Sequence, residues 1–120
     1  MIEFNFINHS SFSIEKDDAI LTVDPWIDGY VFNNSWKLLT KTPKDMLNLV
    51  KKSSHVWFSH EHPDHFNPPN LNIFNNNTNF IFQKTKDKRV IKFLKRISNK
   101  ITEADSSKSI NLTNDFSIQV

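Results

Sequence analysis

Residues 60–65 read His60-Glu61-His62-Pro63-Asp64-His65 and directly follow the apolar run His55-Val56-Trp57-Phe58-Ser59. Three imidazoles and a carboxylate within six positions form a donor set for a divalent cation such as zinc, iron or manganese. If His60 and His62 leave an extended backbone, both point to one side, because side chains alternate along a strand. Pro63 then turns the chain, so Asp64 and His65 face a neighbouring position. Two adjacent ligand pairs imply two cations about 3.5–4 Å apart, the spacing of dinuclear hydrolases. The alternative is a solvated loop in which Asp64 caps a helix. Crowded imidazoles disfavour it, because they repel one another once protonated.

Composition restricts the chemistry further. The 120 residues include no Cys, which excludes disulfides, a thiolate nucleophile, zinc ribbons and Cys-ligated iron–sulfur clusters. Any metal must therefore be held by His, Asp and Glu. Fifteen basic against thirteen acidic residues leave a formal charge of +2, too small to indicate nucleic-acid binding. The apolar fraction is 38%, yet eleven Phe and three Trp supply bulky core side chains. The N-terminus lacks a basic segment leading into an apolar one, and no window approaches the roughly 18 apolar residues of a membrane span. These features give the expectation of a cytoplasmic, folded protein.

The pattern along the chain predicts the elements that must carry the cluster. Ile2, Phe4 and Phe6 alternate, as do Phe12 and Ile14 after a break at Asn8-His9-Ser10, which predicts a strand, a turn and a second strand. Residues 19–23 form a third strand that stops at Asp24-Pro25. Residues 25–41 have no period but carry Trp26, Tyr30, Phe32 and Trp36, so this loop packs on the domain or lines a site. Thr42 as cap and Pro43 at the first helical position begin a helix over 43–52. A strand follows at 55–59, and Asn67 caps a short helix that Pro68-Pro69 opens. Residues 79–83 form another strand, and Val90, Ile91, Leu94 and Ile97 mark an amphipathic helix over 87–98. Residues 100–104 and 109–120 read as strands. The last runs to Val120 with no cap or polar tail, as in an interrupted chain. Strands followed by helix–strand units imply an α/β fold with a mixed sheet and helices on one face.

SHEHPDHF after an apolar strand resembles the H-x-H-x-D-H motif of the metallo-β-lactamase-fold superfamily. NHSSFSIE at 8–15 is similar to its GHSSF-type segment, and LTVDP at 21–25 to its earlier Asp motif. DPWIDGYVFNNSWKLL and PKDMLNLVKKSSHVWFSHEHPDHF resemble the CMP-N-acetylneuraminate hydroxylase-like branch, and the resemblance covers about residues 1–85. It implies half of a four-layer αββα sandwich. It also implies two divalent metal ions, zinc first with iron or manganese as alternatives. His60 and His62 would bind one metal, and Asp64 and His65 the other. Asp24 would lie beneath as an orienting carboxylate, and His9 would stand at the rim. Read from their residue types, Trp26, Trp36 and Phe32 either form a substrate wall near the metals or pack the loop onto the sheet. Family members activate water and polarise an ester, amide or phosphodiester oxygen, with Asp64 as the matching proton acceptor.

This sequence departs from the family pattern after residue 65. No His follows His65, and Asp87, Asp105 and Asp115 lack the context of the family's remaining ligands. The expectation is that residues 1–120 are the N-terminal part of one domain. Its C-terminal half would be missing, supplied by a complementing chain, or lost from a degenerate gene. The leading function is a metal-dependent hydrolase. The alternatives are an iron-dependent hydroxylase-like domain acting on a nucleotide sugar, and a non-catalytic half-domain used for binding or assembly.

Overall fold

A computed structural model describes residues 1–120. Six strands form one mixed sheet: β1 (Ile2–Asn8), β2 (Ser11–Lys16), β3 (Ala19–Val23), β6 (His55–Phe58), β7 (Asn79–Gln83) and β8 (Lys100–Ala104), hydrogen-bonded in that order. The first three are joined by tight turns and run antiparallel, whereas β3, β6, β7 and β8 are mutually parallel. Parallel neighbours need crossovers. These are helix α1 (Lys44–Lys51), a 3-10 turn at Pro68–Ile73, and helix α2 (Arg89–Leu94). No helix is long and apolar enough to cross a membrane.

Register separates the two faces. Asn5, Ser13, Thr22, Val56, Phe80 and Ile101 lie in one row across the sheet, on the face that the helices cover. There Val56, Phe58, Phe80 and Phe82 pack with Phe66, Leu71, Ile91 and Leu94 in the main core. Val50 of α1 meets Ile7 and Ile27 in a smaller cluster on the same side. The adjacent row, Phe6, Phe12, Val23, Trp57, Ile81 and Thr102, belongs to the opposite face. At the edge of that face Ile2, Phe4 and Phe6 are mostly exposed. This six-stranded mixed sheet with helices on one side is half of an αββα sandwich.

Four local readings differ from expectation. The amphipathic helix expected over 87–98 is only α2, Arg89–Leu94, with a turn after it. The 25–41 loop contains a short hairpin, β4 (Tyr30–Val31) with β5 (Trp36–Lys37), turned by Phe32, Asn33 and Asn34 at positive φ. The chain's single glycine, Gly29 at φ +84, supplies a left-handed residue just before it. Residues 109–120 are two short strands, β9 (Ile110–Asn111) and β10 (Ser117–Ile118), instead of one. Thr113-Asn114-Asp115 makes the turn, and Leu112 N–H donates to Phe116 O at 2.7 Å. The Lys16 ammonium, on the open face, reaches the Asp115 carbonyl at the tip of this hairpin. Lastly, Pro43 and not Thr42 stands at the N-cap of α1, and Asn67, at the N-cap of the 3-10 turn, makes no side-chain capping bond. The Thr42 hydroxyl donates instead to Ile27 O, a contact 15 residues away that local propensity cannot foresee.

Candidate metal centre

Adjacent parallel strands end on the same side of a sheet, so the residues after β3 meet those after β6. The two strands pair through Val23 and Trp57, and Asp24 N–H extends the ladder to Trp57 O at 3.0 Å. Asp24 then takes a left-handed φ of 46, which turns the chain and aims its carboxylate across the strand ends. That carboxylate, 3% exposed, accepts three hydrogen bonds. Ser59 N–H donates to Oδ1 at 2.7 Å, while Ser59 Oγ and His65 Nδ1 lie 2.6 and 2.7 Å from Oδ2. A buried carboxylate held this way is fixed in position, because each donor would lose its partner if it moved.

The motif itself lies in the irregular loop beyond β6. His65 N–H and Phe66 N–H both donate to His62 O, at 2.9 and 2.8 Å, closing a turn that begins at Pro63. The turn folds His65 back against His60, with ring centres 4.0 Å apart, and the His60 and His62 rings are 4.6 Å apart. Asp64 points inward. Its Oδ2 is 2.9 Å from His9 Nε2 and 3.3 Å from His65 Nε2.

His9 comes from the β1–β2 turn, 55 residues earlier, and it too has a positive φ. Asn8 holds this turn. Its Oδ1 accepts from His9 N–H at 3.0 Å, and its Nδ2 donates to Thr40 O and Thr42 Oγ1 at 2.9 Å. Two non-glycine residues in the left-handed region, His9 and Asp24, thus flank one cluster. Such strain persists only where surrounding bonds over-determine the backbone.

Burial acts to raise the Asp64 carboxyl, but the His9 hydrogen bond and the neighbouring His65 outweigh it, so the group lies below the ordinary carboxylate range. It is therefore an anion at neutral pH.

One donor atom each from His9, Asp64 and His65 lies within 4.8 Å of the other two. Imidazole nitrogen and carboxylate oxygen suit a zinc, iron or manganese ion, so the donor chemistry fits a divalent cation. The expected grouping paired Asp64 with His65 and His60 with His62. The structure groups His9 with Asp64 and His65 and leaves His60 and His62 outside that group, with the His60 ring 4.0 Å from His65 and the His62 ring 4.6 Å from His60.

The remaining residues are placed as follows. Trp26 is 1% exposed, sends Nε1–H to Gly29 O at 3.3 Å, and sets its ring edge-on to His9 at 5.0 Å. Trp36 is half exposed against Phe32 at 4.9 Å. A cavity of about 710 Å³ opens beside them, bordered by His9, Trp26, Trp36, Lys37 and Leu39. Glu61 is exposed and borders a separate cavity of about 360 Å³ with Phe66, Phe82 and Val90. His55 accepts or donates a 2.8 Å bond with Ser54 Oγ, and burial, aided by Lys100, lowers its pKa.

Sequence reasoning assigned no role to Ser59 or Ser10, although Ser59 touches Asp24 and His60, and Ser10 Oγ is 3.3 Å from His65 Nδ1. No local pattern marks either one: Ser59 meets Asp24 because β3 and β6 end side by side, and Ser10 meets His65 from the β1–β2 turn.

Comparison with known proteins agrees with this architecture. Cytidine monophosphate-N-acetylneuraminic acid hydroxylase from Asterias rubens is 32% identical over 72 residues, covering 60% of this chain and 11% of that protein. The Danio rerio protein of the same name is 31% identical over 70 residues, covering 58% and 12%. The chain thus spans about a ninth of the length of these relatives. Among solved structures, a possible metal-dependent hydrolase from Veillonella parvula superposes with a TM-score of 0.73 at 17% identity. An isothiocyanate hydrolase from Delia radicum gut bacteria superposes at 0.65 and 12%. Both matches cover 98% of this chain and 46% of the other. The sequence profile described as "Beta-lactamase superfamily domain" matches residues 3–110, and the chain therefore belongs to the β-lactamase superfamily.

Proposed function

We propose that residues 1–120 supply one half of a divalent-metal site, with His60, His62, Asp64 and His65 as ligands, and that the complete domain is a hydrolase. In this reading the site holds two metals, zinc before iron or manganese. The remaining ligands come from a second half of the domain or from a complementing chain. The observation that carries the proposal is the convergence of His9, from the β1–β2 turn, with Asp64 and His65, from the loop after β6, their donor atoms within 4.8 Å of one another. Divalent cations there would acidify water and polarise a scissile ester, amide or phosphodiester group.

The chain's own residues do the rest. Asp64, held ionised by its His9 bond, is the proton acceptor. Asp24 orients His65 through Nδ1, leaving Nε2 turned towards Asp64. Trp26 braces the His9 ring, and the cavity bordered by Trp36 and Lys37 admits a small-molecule substrate. A cytoplasmic setting is compatible with a chain that has no Cys.

A chelator-stripped preparation of the intact protein, assayed on p-nitrophenyl esters and bis(p-nitrophenyl) phosphate, tests the reading. Zinc or manganese should restore turnover, and Asp64→Asn should lower it by about 10² or more. Turnover indifferent to chelation and to Asp64→Asn would refute it.

A second reading draws on the hydroxylase relatives, which share 31–32% identity over 70–72 residues. It requires iron in place of zinc, no hydrolysis of either substrate class, and activity on a nucleotide sugar with a redox partner.

A further inference from the structure

Ser59 makes hydrogen-bond contacts with both Asp24 and His60. Its Oγ is 2.6 Å from Asp24 Oδ2 and 2.8 Å from His60 Nδ1. A hydroxyl has one hydrogen, whereas an ionised carboxylate has only lone pairs to offer. At 2.6 Å, two oxygens sharing no hydrogen would repel, so the Ser59 hydrogen lies on the Asp24 side. The Ser59 oxygen then turns a lone pair towards His60. The 2.8 Å contact is a hydrogen bond only if His60 Nδ1 carries the hydrogen.

We propose that Ser59 is a positioning residue, relaying the Asp24 carboxylate to His60 so that this imidazole keeps its hydrogen on Nδ1 and its lone pair on Nε2. Asp24 does the same directly for His65, through the 2.7 Å bond from Nδ1. One buried carboxylate thereby sets the tautomer of two imidazoles from different points of the loop, one directly and one through a hydroxyl. In neutral histidine the nitrogen left free is fixed by the bond its partner nitrogen makes. The Ser59 backbone N–H on Asp24 Oδ1, at 2.7 Å, holds the relay in register whatever the hydroxyl does. The value of this arrangement to a metal rests on the reading that His60 is a ligand; the tautomer itself does not.

Ring-nitrogen NMR of ¹⁵N-histidine-labelled intact protein, stripped of metal and at a pH where the imidazoles are neutral, tests the relay. His60 should show a protonated Nδ1 and a bare Nε2 in the wild type. Ser59→Ala should shift His60 towards the Nε2–H form that an unconstrained histidine side chain favours, leave the His65 pattern unchanged, and weaken zinc binding about 10–100-fold. Ser59→Thr, which keeps the hydroxyl, should restore both. An Nε2–H His60 in the wild type, or a His60 pattern unchanged by Ser59→Ala, overturns the proposal. Zinc affinity unchanged by His60→Ala would instead overturn the ligand assignment, and is read separately from the tautomer.

Discussion

The two faces of the sheet are built from the same strands yet are covered to different extents. On the helix-covered face Val56 and Phe58 are 0% exposed, sealed by α2 and by Phe66 from the motif loop. On the other face the apolar row is buried at its centre, with Val23 8% and Ile81 0% exposed, whereas Phe4 and Phe6 on edge strand β1 are 65% and 63% exposed. A folded monomer normally buries such a row. The difference lies at β1: the β9–β10 hairpin reaches across to Lys16 but does not cover this strand. The candidate metal centre lies at the ends of the strands, between the two faces.

Substitutions separate the faces by magnitude. The largest effect should be Phe58→Ala, which opens a cavity in the covered core and should cost about 3–5 kcal/mol in urea denaturation. Next is Thr22→Val. It removes the buried 2.6 Å bond to Ser53 Oγ while Ser53 keeps Val50 O, so about 1 kcal/mol should be lost.

On the open face His55 gives a pH signature. Its pKa is lowered from 6.5, so the unfolded chain takes up a proton before the folded one does. Stability should therefore fall as pH drops through 6.5 towards the folded value, and His55→Gln should flatten that part of the pH–stability curve. A curve unchanged by the substitution would contradict this. The smallest effect should be Phe4→Ala, within about 0.5 kcal/mol for residues 1–120 alone. A cost like that of Phe58→Ala would mean the open face is already covered.

Most of the fold was legible because its strands alternate or run apolar, and the sheet strands fall within two residues of the expected positions. The short hairpins were not, since a two-residue strand has no period to detect. Thr42 looked like a cap because capping is a local rule, whereas its hydroxyl is claimed by Ile27 O and Asn8 from other parts of the chain. In the candidate site, the spacing of His60, His62, Asp64 and His65 points to a donor cluster, of which Asp64 and His65 converge with His9. Family resemblance points to His9 and Asp24. Neither locates Ser59, whose role depends on β3 and β6 ending side by side, a tertiary fact absent from any local pattern.

The central claim concerns those donors, and metal content measures it most directly. The intact protein, equilibrated with zinc and freed of loosely held ion, should carry about two equivalents, and His60→Ala and His62→Ala should each lose at least one while remaining folded. Equal zinc in wild type and both variants, or none in any of them, would contradict the account.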